Sequence, residues 1–436
     1  MAGGKTGSSD AITYARVASI AVPIMLANIT VPLQGAIDTA IIGNLGSEVY
    51  LASVTLGAGL FTLVVALFNF LLMGTSGLTA QAMGSDNTRR LINTLIRGMI
   101  IAGLIAVILF LFRSPIASYG MGIFAGSDAA ESLAIRYIEI RAFGFPAELA
   151  NYVLIGWFAG QERTRRIFEI QIIISVVNVA LNVLFVIGLG WGIEGVALGT
   201  VLASYCGLCF GLWHAWRRGQ SIAQPEWRLD WSRVLNRSEL ARLMSLNRDI
   251  FIRSTLLVGS FLWMTRLGSL QGDTILAANG ILIHFLHISA YSLDGFAIAA
   301  ETLVGQALGA RSREHVRRSV IVTSLSAIAI AALFSLVAML LSDHLIRLFT
   351  NVELVRAVAS EYALWAVLMP LFGVLAFQMD GVFVGAADGP GLRNAMIASA
   401  GIYFPLSWWM TETWGNHGLW AAISVFLLLR AVFLII

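Results

Sequence analysis

A carboxylate, two amides and a hydroxyl are the residues of this chain best placed to do chemistry. Asp38 lies near the outer end of the first apolar span, in Pro23-Ile-Met-Leu-Ala-Asn-Ile-Thr-Val-Pro32-Leu-Gln-Gly-Ala-Ile-Asp38. A carboxylate inside a membrane helix costs about 2.5–3.5 kcal/mol on insertion scales, and it marks a functional site by default. Burial also suits a carboxyl to taking up and releasing protons near neutral pH. The plainer reading is a helix-end carboxylate wetted by the outer interface. Pro23 and Pro32 each remove a backbone donor, so this helix can kink. Prolines also occur in membrane helices without any switching role. Further along, Asn178 and Asn182 are four residues apart, so both amides share a helix face and could bind a carboxylate or a cation. Helix–helix adhesion is the competing explanation for them. Thr200 in the following span could add a hydroxyl to the same site.

Later in the chain the polar candidates are Asp249, Arg253, His284, His287, Asp294, Glu301 and Asp380. Asp249 and Arg253, four apart, read as an intrahelical ion pair. Asp380 sits in a glycine-rich stretch and reads as wet. His284 and His287 share a face as metal ligands might, but with no carboxylate companion they read as packed or pore-lining. Cys206 and Cys209 lie three apart in one apolar span, poor geometry for a disulfide, and read as small apolar fillers. No metal site is expected.

These residues must be positioned by elements that live in lipid. The chain has 436 residues, 58% hydrophobic and 12% charged, with a mean hydropathy of +0.81. A helical span needs about 20 apolar residues, and twelve candidates centre near residues 28, 62, 102, 146, 178, 202, 256, 288, 328, 366, 402 and 425. The long apolar runs do not alternate, which excludes a β-barrel. No cleavable signal peptide is read at the start. The sequence is also duplicated. Gln81-Ala-Met-Gly84 returns 225 residues later as Gln306-Ala-Leu-Gly309, and Gly156-Trp-Phe-Ala-Gly160 returns at the same offset as Gly381-Val-Phe-Val-Gly385. The offset maps Asp294 onto Asn69. The fold class expected is therefore all-α membrane protein, with twelve transmembrane helices in two pseudo-symmetric six-helix lobes. A flexible cytoplasmic tail would cover 1–13, the first lobe 14–215, a cytoplasmic linker 216–243 and the second lobe 244–436.

Basic residues set the orientation. With a cytoplasmic amino terminus, 21 of the 28 cations fall on inner segments and only Arg113, Arg136, Arg266, Arg347 and Arg356 on outer ones. Arg141 and Arg253 remain as intramembrane residues, whereas Arg430 counts among the inner cations. The positive-inside rule then puts both termini in the cytoplasm. Lys5 is the only lysine, a bias that points to a GC-rich bacterial genome and hence a bacterial inner membrane. The formal charge of +3 serves topology and not nucleic-acid binding. No nucleophile elbow, His-Glu-x-x-His or phosphate loop is present, so no enzyme is expected and ATP is not used by this chain.

Taken together, Pro32-Leu-Gln-Gly-Ala-Ile-Asp38-Thr-Ala-Ile-Ile-Gly43, the paired Gln-Ala-x-Gly motifs, Asn178-x-x-x-Asn182 and Gly381-Val-Phe-Val-Gly-Ala-Ala-Asp-Gly389 resemble the multidrug and toxic compound extrusion (MATE) transporters, in their DinF-like branch. The resemblance runs from about Tyr14 to the end. It implies export of bulky, often cationic, amphipathic compounds by antiport with protons or sodium. It also implies that Asp38 is the coupling site, Pro23 the bending point, and Asn178 and Thr200 part of the cation pocket. Asn182 stands where many relatives carry a second Asp, and losing that charge tilts the coupling ion toward H+, with Na+ the less favoured. A second-lobe ion site would draw on Asp249, Asp294 and Asp380. Partners are then small amphipathic substrates and the bilayer, with no cofactor, no nucleic acid and a monomeric state. A related carrier of lipid-linked intermediates or organic anions is the alternative; it requires cationic cavity walls, with Arg141 and Arg253 the residues that decide. A membrane-embedded enzyme or sensor would need a catalytic cluster, which the sequence lacks.

Overall fold

The computed structural model describes residues 11–43, 48–122, 127–222 and 230–436. Most of the expected tail, with Lys5, and part of the expected linker, with Arg228, lie outside those residues. Fifteen α-helices and two irregular helical turns account for nearly all of the described chain. They are α1 (Tyr14–Gly43), α2 (Glu48–Ala66), α3 (Phe70–Gly84), α4 (Thr88–Leu111), α5 (Arg113–Met121), α6 (Asp128–Arg141), α7 (Phe145–Ala159), α8 (Thr164–Asn182), α9 (Gly192–Ile222), α10 (Trp231–Val234), α11 (Arg237–Ser269), α12 (Asp273–Gly309), α13 (Arg313–Phe349), α14 (Glu353–Ala386) and α15 (Gly389–Ile435). A 3₁₀ turn at Ala142–Gly144 joins α6 to α7, and a π-helical turn at Val183–Gly188 extends α8.

Among the described residues nine helical stretches are long and apolar enough to cross a membrane, α2 and α3 together forming one of them. The remaining spans have visible reasons for their irregularity. α1 contains both prolines. The α6–α7 span is broken where Pro146 opens α7. α15 holds two spans, because Gly415 (φ 57°, ψ −136°) leaves the helical region and turns the chain between them. These complete the twelve expected. α9 continues to Ile222 and α11 begins at Arg237, so both helices reach into the stretch read as linker. Residues 11–13 of the expected tail are anchored: Ile12 is buried and its carbonyl accepts from Arg318 Nε at 2.9 Å. Helix starts follow the capping chemistry of the sequence. Asn87, Ser127, Asn236, Ser312 and Asp388 each accept from a backbone N–H of the helix they begin.

One apolar cluster belongs to the first half of the chain (Ile42, Val54, Leu60, Tyr137, Val196) and another to the second (Leu282, Met369, Tyr403, Trp420, Phe426). A third is shared, bringing Ile20 and Ile24 of α1 and Phe158 of α7 against Leu293, Phe296 and Leu303 of α12. In lipid such contacts gain little from excluding water, so close packing of small residues and polar contacts must hold them. The duplicated motifs supply both. α3 packs on α11, α12 and α14, whereas α2, which precedes it in the same span, packs on α1, α5, α6, α7 and α9. The halves thus meet at the end that carries the Gln-Ala-x-Gly repeats. A Cβ on Gly84 would collide with the Gln306 backbone, and one on Gly309 with the Gln81 carbonyl. Gln81 Nε2 donates to the Gly385 carbonyl at 2.9 Å, and Gln306 Nε2 donates to the Gly160 carbonyl at 3.1 Å. Each glutamine oxygen in turn accepts from an arginine, Arg242 at 2.8 Å for Gln81 and Arg16 at 3.4 Å for Gln306. The pseudo-symmetry extends to backbone torsions. Asp86 and Arg311, and likewise Glu162 and Ala387, are 225 apart and all take positive φ, from 52° to 59°.

Replacing Gly84 by Leu forces the seam apart and should lower stability by about 1–3 kcal/mol or more, as overpacking of a filled site does. Gly103→Leu, at a lipid-facing position with nothing near its Cβ, should leave the thermal unfolding midpoint in detergent unchanged. Equal midpoints for the two variants would show that the seam is not closely packed.

Candidate functional site

The expected polar residues divide between two cavities, one lined by the first half alone and one lined by the second half together with residues of α1 and α3. The first, of about 320 Å³, is lined by Asp38, Phe61, Tyr137, Arg141, Glu148, Asn151 and Thr200 among others. α8 brings its two amides to the rim. Asn182 Nδ2 donates to Asp38 Oδ1 at 2.6 Å and lies 3.4 Å from Asn178 Oδ1. Asn178 Nδ2 donates to Thr200 Oγ1 at 2.9 Å, whose hydroxyl donates to the Val196 carbonyl at 2.9 Å. The four residues picked out in the sequence therefore form one hydrogen-bonded chain from α1 through α8 to α9. Both amides and the threonine are buried. Gly199 makes the approach possible, since a Cβ there would meet the Asn182 side-chain oxygen. The π-helical turn begins directly after Asn182; such turns often accompany functional sites. Pro23 lies in α1 fifteen residues before Asp38, outside the cavity lining.

Glu148 completes this cavity and was not singled out from sequence. The break between α6 and α7 lets Arg141 and Glu148 face one another at 3.0 Å, with the guanidinium 4.1 Å above the Phe61 ring. A carboxylate seven residues from an intramembrane arginine was the available signal. Arg141 is thereby an ion-paired residue of the wall. The cavity holds two carboxylates against one guanidinium.

The second cavity, of about 350 Å³, is lined by Asn28, Asn69, Arg253, His287, Asp294, Glu301, Asp380 and Arg430 among others. Here several expectations are corrected. Arg253 does not pair with Asp249; its Nη2 donates to Asp380 Oδ2, as does Arg430 Nη2 at 2.5 Å. Asp380 is not wet but only 4% exposed, held between two guanidiniums. Arg430, counted as an inner topological cation, is buried at this site. Asp249 does not line the cavity. It is fully buried near the start of α15 and accepts from Arg248 and Arg393, each at 2.9 Å. Helical spacing placed Asp249 and Arg253 on one face, but partners on α14 and α15 are nearer to each. Asp294 and Asn69, related by the 225 offset, both line the cavity. His284 stacks on Phe349 at 5.5 Å while His287 turns toward Tyr291. No group of three or more His, Cys, Asp or Glu residues suited to a metal occurs among the described residues. Cys206 and Cys209 are free and exposed, so they fill no core.

The offset also locates the counterpart of the Asp38–Asn182 contact. Residues 263 and 407 are Trp and Ser, and Trp263 Nε1 donates to Ser407 Oγ at 3.0 Å. The contact is kept in the second half, without the charge.

The MatE family model matches residues 23–184 and again 250–409, one match in each half. DNA damage-inducible protein F of Escherichia coli (strain K12) is 38% identical over 417 residues, covering 95% of this chain and 89% of that protein. A probable multidrug resistance protein NorM of Bradyrhizobium diazoefficiens is 28% identical, covering 93% and 89%. The crystal structure of a MATE transporter in complex with MaD3S superposes with a TM-score of 0.86 over 96% of this chain and 94% of that one, at 17% identity. The fold is shared with that structure.

Removing one partner of a buried ion pair costs about 3–5 kcal/mol. Asp380→Ala strands two buried guanidiniums and should lower the thermal unfolding midpoint more than Arg253→Met, which leaves Asp380 paired with Arg430. Equal midpoints would show that the two arginines do not depend on Asp380.

Proposed function

The chain belongs to the MatE family of multidrug efflux transporters, and on that premise we propose that it exports amphipathic, often cationic compounds by antiport against protons, with Asp38 as the coupling site. The observation that carries this reading is the Asp38–Asn182–Asn178–Thr200 chain at the rim of a cavity whose carboxylates outnumber its guanidiniums. An ionised Asp38 holds the Asn182 amide by a charge-assisted hydrogen bond. Protonation removes that charge and weakens the contact between α1 and α8. Pro23 interrupts the backbone ladder of α1 and is where the helix would bend in response. Proton entry from the outer side then drives substrate release. Rocking of the two halves about their seam, residues 14–215 against 244–436 across the 216–243 linker, resets the carrier.

Sodium is the weaker candidate for the coupling ion. A hard cation prefers several oxygens with compensating charge; the hydrogen-bonded chain from Asp38 holds only amides and a hydroxyl, and Glu148 of the same cavity is paired with Arg141. Asp380, the acid on α14, already receives two guanidiniums. The organic-anion and lipid-intermediate reading needs cationic walls. Arg141 is paired with Glu148 and Arg253 with Asp380, so neither is free to hold an anion. Positive-inside charge supports a bacterial inner membrane with both termini cytoplasmic, and the carrier works as a monomer without cofactor or nucleic acid.

The test is movement of a lipophilic cationic dye out of energised vesicles, wild type against Asp38→Asn. An imposed pH gradient without sodium should drive the dye in wild type, and the variant should show none of that movement. Dye that moves only under a sodium gradient would overturn proton coupling. No movement under either gradient would favour the anionic substrate.

A further inference from the structure

In the second cavity the charges do not cancel. Three carboxylates, Asp294, Glu301 and Asp380, share it with two guanidiniums, Arg253 and Arg430. Both guanidiniums donate to the same oxygen of Asp380. Neither Asp294 nor Glu301 has an ion pair among the described residues. Glu301 is the deeper of the two, 2% exposed, and its Oε1 is buried with no hydrogen-bond partner. The Ser76 hydroxyl approaches it without a hydrogen bond of good geometry. A buried carboxylate left like this needs a cation or a proton to offset its desolvation.

The surroundings say what kind of cation. Asp294 and Glu301 are seven residues apart on α12, so both face the cavity, separated by about 10 Å of helix. Between them α12 presents Ala297 and Ile298, and the lining also includes Leu72, Met73 and Phe377. At about 350 Å³ the space is of the size that takes small organic molecules, in the range of about 300–1,000 Å³. A metal ion would leave most of it empty and would find no cluster of acidic or histidine ligands. An organic cation would put its apolar body against these side chains and its charge on Glu301.

We infer that the second cavity is the binding site for the cationic group of the exported compound, with Glu301 as its counter-ion and Asp294 guiding it inward. This rests on the export reading and deepens it: substrate and proton occupy different cavities, the proton's within the first half and the substrate's between α1 and α3 and the helices of the second half. Coupling then passes through the seam, where α12 carries Glu301 and, one turn on, Gly305 and Gln306 against α3 and α7. It does not come from two cations contesting one carboxylate.

The experiment is calorimetric titration of the purified full chain in detergent with benzyltrimethylammonium and with neopentylbenzene, its neutral carbon isostere. Glu301→Gln should weaken binding of the cation at least about tenfold while leaving the neutral isostere unchanged. Should Glu301→Gln fail to fold, Ile298→Phe fills the cavity without touching the carboxyl and should abolish binding of both probes. Unaltered cation binding in Glu301→Gln or Ile298→Phe, or no binding to wild type, would each overturn the inference. Vesicle efflux reports separately: dye driven only by sodium would sink proton coupling and leave the Glu301 site standing.

Discussion

Everything in this molecule hangs on a pair of reciprocal glutamine contacts. Gln81 reaches across to the carbonyl of Gly385 and Gln306 to that of Gly160, and the glycines three residues along from each glutamine let the backbones approach. In lipid, apolar contact between helices is little better than contact with acyl chains, so a seam needs close backbone approach and hydrogen bonds to exist. A net gain of about 1 kcal/mol for each such bond is small. On the proposed rocking cycle, that suits a joint that opens and closes. The carbonyls used belong to the last turns of α7 and α14, which lack helical partners in any case. The cavities differ in their relation to this joint: one is lined by first-half helices alone, the other by α1 and α3 together with α11, α12, α14 and α15.

A second constraint is that the guanidiniums lining the two cavities, among the described residues, are all ion-paired. Arg141 takes Glu148, while Arg253 and Arg430 take Asp380. These pairs remove the arginines as anion sites and leave an excess of carboxylate in each cavity. Charge in such a place is costly, so it persists where it has work to do. The polarity of the cavities is thus decided by what the arginines do not cancel.

Much of this was legible in the sequence. Hydropathy marked the spans and the 225-residue offset marked the duplication, because both depend on local composition or on direct copying. The Asn178–Asn182 pair was legible because helical spacing alone puts two side chains on one face. The partners of charged residues were not. Arg253 and Asp380 are 127 residues apart and Arg430 and Asp380 are 50 apart, and spacing along one helix carries no information about a neighbouring helix. The same limit made Asp249 look like the partner of Arg253, when Arg393 on α15 was closer. Glu148 escaped notice because its pairing needs the break between α6 and α7, where Pro146 opens the second helix.

Duplication gave the two halves the same contacts, and their divergence shows where charge has been concentrated. Asp38–Asn182 in the first half is Trp263–Ser407 in the second, so the contact survives without a titratable group. At the seam the exchange runs the other way: Ser76 in the first half is Glu301 in the second, and Asn69 is Asp294. Glu162, which pairs with Arg16 at 2.5 Å, is matched by Ala387 beside a seam that still has its arginine, Arg242. A symmetric carrier with the same carboxylates in both halves would place two like sites at equal depth. Each half would then bind proton or substrate equally well, and nothing would oblige one to wait for the other. Splitting the titratable positions between the halves, while keeping the packing that joins them, gives each cavity a different affinity and a shared hinge. On the proposed antiport, that asymmetry within a conserved frame would let proton binding in one cavity bias occupancy of the other.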